Sequence, residues 1–175
     1  MGKKCDYLDL MTAVPLSDGN GVEKKWLGHY GDMPEKLEYH QGSIYDMLLD
    51  AVNAYPEYPA MEFFGVTQSY REFFGNIEKV SCALVNMGVK ENESVTICMP
   101  NMPEAIYLIY AINKIGAICN VIHPLSSHDE IKEAMKCTES SLVFTTDASV
   151  KNVNGVEGDI VVCDVSMSMN PVIKT

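Results

Sequence analysis

Residues 89–124 read VKENESVTICMPNMPEAIYLIYAINKIGAICNVIHP, and no other stretch restricts the fold as tightly. Residues 94–99 are a short, mostly apolar run, which predicts a buried strand. Residues 103–115 carry Ala105, Ile106, Leu108, Ile109 and Ile112, which predicts a helix apolar on most sides. Gly116 supplies the stop, since a helix commonly ends on a left-handed residue and glycine takes that conformation cheaply. Residues 117–122 predict a second strand. The rhythm then continues: Ser127-His128-Asp129-Glu130 starts a helix that ends near Thr138, residues 142–145 form a strand, a short helical or turn segment follows, and residues 159–165 form a fourth strand. Strands alternating with helices at this spacing imply an α/β fold, with right-handed βαβ crossovers and a parallel sheet covered by helices on both faces. The strands are near-continuous apolar runs, as burial on both faces requires.

Upstream of this rhythm, Ile44, Met47, Leu48, Ala51 and Val52 recur at helical spacing behind Ser43, predicting a capped amphipathic helix over residues 43–54. Residues 60–64 and 66–69 flank Gly65 and read as a short hairpin. Ser69 and Glu72 form a capping box. Behind it Phe73, Ile77, Val80, Leu84 and Met87 share one helical face, with Gly88 as the stop. Residues 1–42 are polar, turn-rich and weakly periodic, and predict an extended N-terminal arm. Trp26, Leu27 and Tyr30 are expected to pin that arm to the body. The expected division is therefore an arm over 1–42 and one domain over 43–175.

Charge excludes one class of partner. The net charge is −11 and Arg71 is the only arginine, so the Lys and Arg contacts that grip a nucleic-acid backbone are scarce. Cys5, Cys82, Cys98, Cys119, Cys137 and Cys163 are widely spread, with no C-x-x-C pair and no histidine at ligand spacing. Reduced, structural thiols in a cytoplasmic protein are the expectation. The opening Met1-Gly2-Lys3-Lys4-Cys5-Asp6 is charged and lacks an apolar h-region behind it, which predicts no secretory leader. Residues 105–122 approach membrane length, yet Asn113, Lys114 and Asn120 interrupt them and Gly116 divides them; a buried helix and strand are expected, with no transmembrane segment.

Two turns carry the functional reading. Pro100-Asn101-Met102-Pro103-Glu104 joins a strand to a helix, with Pro103 suited to the first helical position and Asn101 or Met102 left as the cap. It lies at the C-terminal edge of a parallel strand, where α/β folds place ligands. His123-Pro124 follows the next strand. Asn101 and His123 are therefore cleft-edge candidates, and a structural turn role is the simpler reading of each. His128 and Asp129 are explained by capping and the helix dipole. The chain has no G-x-G-x-x-G, no G-x-x-x-x-G-K-[ST] and no G-x-S-x-G, so no glycine-rich loop is available to cradle phosphates.

These motifs, in this order, resemble the N-terminal part of the adenylate-forming (AMP-binding) ligases, which include the acyl-CoA synthetases. PNMPE stands where that family has P-N-S/C-P/V-E. Ile112 to Pro124 is similar to its L-x-A-G-A-x-x-x-x-x-N-P, with His123 in place of Asn or Asp. Gln68-Ser69-Tyr70-Arg71-Glu72-Phe73 is similar to its L-T-Y-x-E-L. The resemblance spans roughly residues 43–165. It implies the N-terminal subdomain of the ligase fold, incomplete, as part of an enzyme that joins a carboxylate to ATP and passes the acyl group to a thiol such as CoA. ATP, Mg²⁺ and CoA are implied for the full-length enzyme, and none is expected to be bound by this fragment. The family's T-S-G-T-T-G-x-P-K loop and C-terminal lysine have no counterpart in the sequence, so no catalytic residue carries over and the fragment alone is expected to be inactive, truncated at residue 175. The expected partners are the missing remainder of the ligase and, for the whole enzyme, a small-molecule carboxylate, with oligomerisation through exposed apolar surface. The alternative is a stand-alone, non-catalytic binding module derived from the family.

Overall fold

Serine hydroxyls start three helices. The computed structural model describes residues 29–34, 38–39 and 41–170. In it Ser43 caps helix α1 (Ile44–Ala54). Strands β1 (Pro59–Phe63) and β2 (Val66–Ser69) lead into helix α2 (Tyr70–Asn86), capped by Ser69. After strand β3 (Ser94–Cys98), helix α3 (Pro103–Ile115) and strand β4 (Ile118–Val121) comes helix α4 (His128–Cys137), capped by Ser127. Strand β5 (Leu142–Thr146), helix α5 (Val150–Val153) and strand β6 (Asp159–Cys163) complete the order. All three serines form full capping boxes, with Asp46, Glu72 and Glu130 returning the bond to the cap's own amide. The Asp46 box is an addition to the sequence reading, which saw only the Ser43 cap.

Helix ends are equally regular. At the end of α2 the Val89 amide donates to the Leu84 carbonyl at 3.1 Å and the Gly88 amide to Val85 at 3.0 Å. The same paired bonds close α3 at Ala117 and Gly116, and close α4 at Ser140 and Glu139. Each is a Schellman turn, whose left-handed residue is favourably glycine. Gly88 and Gly116 meet that need with φ of 93° and 79°, while Glu139 takes it at 54°. The β1–β2 hairpin pairs Phe63 with Val66, and its two-residue loop, Phe64 and Gly65, has φ of 43° and 75°.

The parallel sheet has the order β4-β3-β5-β6. On one face, Val95, Ile97, Leu142 and Phe144 pack in a core with Phe73, Ile77 and Leu84 of α2 and Leu108 and Ile112 of α3. On the other face, Cys98 and Val143 pack with Ile131 and Met135 of α4 and Val153 of α5. Full burial of each such aliphatic side chain stabilises the fold by about 1.5–3 kcal/mol. Two expectations need correction. Only β3 and β5 are buried along their length; β4 and β6 are the sheet's outer strands, and Ile118, Val121 and Val162 are about half exposed. Met87 is also half exposed, because it is the C-cap of α2 and has left the buried face.

The chain divides into two units, residues 1–39 and 40–175. In the first, the Met33 amide donates to the Tyr30 carbonyl at 3.0 Å. Trp26 and Leu27 lie outside the described residues.

Candidate functional site

A parallel sheet in this order has one switch point. The chain passes from β3 through α3 to β4 at one edge, then back through α4 to β5 on the far side of β3. The α3 crossover lies on one face and the α4 crossover on the other. The turn after β3 and the loop after β4 therefore leave the C-terminal edge in opposite directions, the arrangement above which open α/β sheets bind ligands.

The structure places both sequence candidates on this edge. Asn101 is exposed in the turn after β3. The helix cap falls to Met102, whose buried side chain makes no capping bond, with Pro103 at the first helical position. Asn101 thus has no capping role. His123 is exposed in the loop after β4. The Leu125 amide donates to His123 Nδ1 at 3.2 Å, so the proton of the neutral ring sits on Nε2. The His123 carbonyl accepts from the Ser126 amide at 3.0 Å and from the Cys98 thiol at 3.8 Å. That loop continues across the edge to α5, where Asn152 Nδ2 donates to the Pro124 carbonyl at 3.1 Å.

Several groups at this edge were not singled out from the sequence. Glu104, in the first turn of α3, accepts a hydrogen bond on Oε1 from Ser168 Oγ, while its Oε2 is buried without a hydrogen-bond partner. Burial, and then the Glu104 charge, push the Cys163 thiol up from its ordinary range. Thr145 is fully buried with Oγ1 unpaired, beside Cys98 in the β3–β5 register. Burial also raises the Cys98 thiol and moves Cys119 up to about 11. All five described cysteines are free thiols, and with these shifts the buried ones are poor nucleophiles at neutral pH. Nothing in the sequence marks Ser168 as the partner of Glu104, since 64 residues separate them.

The edge differs from a preformed metal or triphosphate site. Among the described residues no three His, Cys, Asp or Glu side chains come together to hold a metal ion. The β3–α3 turn offers Pro100, Asn101 and Met102 where a phosphate cradle needs glycines. By themselves these residues do not fit Mg²⁺ or a triphosphate. Among the described residues no helix is long and apolar enough to cross a membrane.

Comparison with known proteins agrees with this geometry. The chain is 28% identical over 159 residues to an acetyl-coenzyme A synthetase of Brucella canis, covering 86% of the chain and 23% of that enzyme. It is 23% identical over 126 residues to a long-chain-fatty-acid–CoA ligase of Bacillus subtilis, covering 71% of the chain and 22% of the ligase. The chain thus spans less than a quarter of these relatives' length. Among solved structures, the N-terminal subdomain of Klebsiella oxytoca NpsA aligns with a TM-score of 0.65 at 20% identity, over 71% of this chain and 32% of that one. The N-terminal domain of FACL13 from Mycobacterium tuberculosis aligns with a TM-score of 0.66 at 20% identity, over 71% and 34%. At such identities the structural likeness shows the fold alone, that of the N-terminal subdomain of adenylate-forming ligases. The family model described as AMP-binding enzyme matches residues 48–174, a span that holds the whole parallel sheet, and on that match this chain belongs to the AMP-binding enzyme family.

Proposed function

We propose that this chain is the N-terminal part of an ATP-dependent acid-activating ligase. The observation that carries the reading is the family match over residues 48–174, laid on a sheet whose strand order reverses at the β3–β5 switch point. In the proposed reaction the carboxylate of a small acid attacks the α-phosphorus of ATP, giving acyl-adenylate and pyrophosphate. A thiol such as CoA then takes the acyl group and releases AMP. The described residues supply scaffold and one wall of a cleft, with Asn101 and His123 at its rim; the groups that bind Mg²⁺ and the triphosphate come from the rest of the ligase.

In this reading residues 1–42 are an arm and 43–175 a partial domain, inactive alone. The half-exposed Ile118, Val121 and Val162 on the outer strands support covering of those edges by the remaining ligase chain or by a second copy. The free thiols support a reducing, cytoplasmic location.

ATP–pyrophosphate exchange tests this. Purified protein carrying this sequence, taken at its native length, is assayed with Mg²⁺ and, in separate reactions, acetate and a long-chain fatty acid. Exchange dependent on one of the acids supports the ligase. Folded native protein with no exchange on any acid of a broad panel rejects it and leaves a non-catalytic family derivative.

A further inference from the structure

The loop over residues 122–127 has little apolar anchorage of its own. Leu125 at its tip is 81% exposed and only Ile122 at its base joins the core. Polar bonds must hold it. Within the loop, the Ser126 and Leu125 amides fold back on His123. The thiol contact from Cys98 to the His123 carbonyl is a weak donor's bond. Beyond the bonds at its two ends, where the Ile122 amide donates to the Ile97 carbonyl at 2.9 Å and Ser127 caps α4, the middle of the loop is reached from another element by the amide–carbonyl bond of Asn152 to Pro124. Asn152 is also held from the other side, because His128 at the start of α4 donates from Nδ1 to the Asn152 carbonyl at 3.2 Å. Next to Asn152, Val153 is fully buried against α4 and β5. That burial gives the single turn of α5 a fixed seat.

We propose that Asn152 is a positioning residue that latches the His123 loop across the C-terminal edge of the sheet. It thereby sets one rim of the crevice without touching what binds there. The loop after β4 and the helix after β5 enclose the switch point from the same face, and Asn152 makes them one body. The consequence for binding rests on the ligase reading above; the latch does not. Losing a bond of ordinary strength multiplies the open population of the loop about threefold to tenfold, and a rim in the wrong place weakens ground-state binding before it slows chemistry.

The test joins two readouts on the native-length protein: hydrogen exchange followed by mass spectrometry, and steady-state ATP–pyrophosphate exchange. Asn152→Ala removes the donor. Asn152→Asp keeps the shape while replacing the donor with an acceptor, and serves if the alanine variant does not fold. Asn154→Ala, an exposed neighbour, is the control. In both Asn152 variants we expect the amides of His123, Leu125 and Ser126 to exchange about threefold to tenfold faster, with 94–98 and 142–146 unchanged. We also expect KM for the acid or for ATP to rise by a similar factor, with kcat within about twofold. Unchanged exchange at His123, Leu125 and Ser126 overturns the latch. Faster exchange with both KM values unchanged overturns its role at the crevice. Wild-type protein without pyrophosphate exchange breaks the ligase reading instead, and hydrogen exchange still decides the latch.

Discussion

The two ends of the parallel sheet are built from the same strands and treated very differently. At the N-terminal end, Thr96 donates to Ser140 at 2.8 Å and accepts from Asn120 at 3.0 Å. Ser140 in turn donates to the Leu142 carbonyl, and Asn120 also donates to Thr138. Every member of that network has a partner, and Schellman turns close the helices that feed it. At the C-terminal end, Glu104 Oε2 and Thr145 Oγ1 are buried without hydrogen-bond partners, and Asn101 and His123 lie exposed. One end is finished for stability. The other keeps polar groups unspent, which is where a strand-end crevice needs them.

The largest contrast should come from two single substitutions. A Cβ at Gly158 would lie 2.2 Å from the Ser141 carbonyl oxygen, and its φ is +119°, so Gly158→Ala forces the closed end apart. A loss of about 3 kcal/mol or more is expected in urea unfolding. Asn101→Ala at the open end should change stability by less than about 0.5 kcal/mol. Equal losses would remove the distinction between the ends.

A pair of isosteric changes sharpens it. Thr96→Val takes one partner each from Asn120 and Ser140, and should cost about 1–3 kcal/mol. Thr145→Val removes a hydroxyl that has no partner to lose, and should be neutral or stabilising by up to about 1 kcal/mol. Opposite signs for the same chemical change, measured by thermal unfolding, are the expected result. A comparable loss at Thr145 would mean that its hydroxyl is paired in solution.

Smaller effects remain at each end. Glu139 adopts the left-handed conformation that its two sister turns give to glycine, so Glu139→Gly should stabilise by about 0.5–1 kcal/mol, less whatever chain entropy glycine adds to the unfolded state. At the open end, Cys163 is protonated to higher pH than a free thiol, first by burial and then by the Glu104 charge. The unfolded thiol ionises first, so as pH rises past the ordinary thiol value of 9.0 the unfolded state holds fewer protons and stability falls. Glu104→Gln should weaken that fall slightly and speed alkylation of Cys163 in the folded protein at pH 9. An unchanged rate would separate the two residues electrically.

Much of this fold is legible along the chain because the relevant physics is local. Ser69 and Ser127 announce helix starts through a side chain and an amide three residues apart. Gly88 and Gly116 announce stops through a conformation that most other residues resist. The apolar runs of β3 and β5 reveal burial on both faces. The same logic misjudged β4 and β6, whose apolar residues look central yet lie at the sheet's edges, because strand order is not encoded in any one strand. Asn101 and His123 were readable as strand-end residues from the α/β alternation. Asn152, Ser168 and the buried oxygen of Glu104 were not, since their significance depends on residues 28 to 64 positions away.

Element type, element order and family were decided within windows of a few residues, where hydrophobic period, capping and turn chemistry act. Tertiary packing decided which strands became edges, which polar groups were left unpaired and which helix holds the His123 loop. Those outcomes depend on long-range closure of the sheet and on the desolvation it imposes. A residue's own neighbours along the chain carry no record of either.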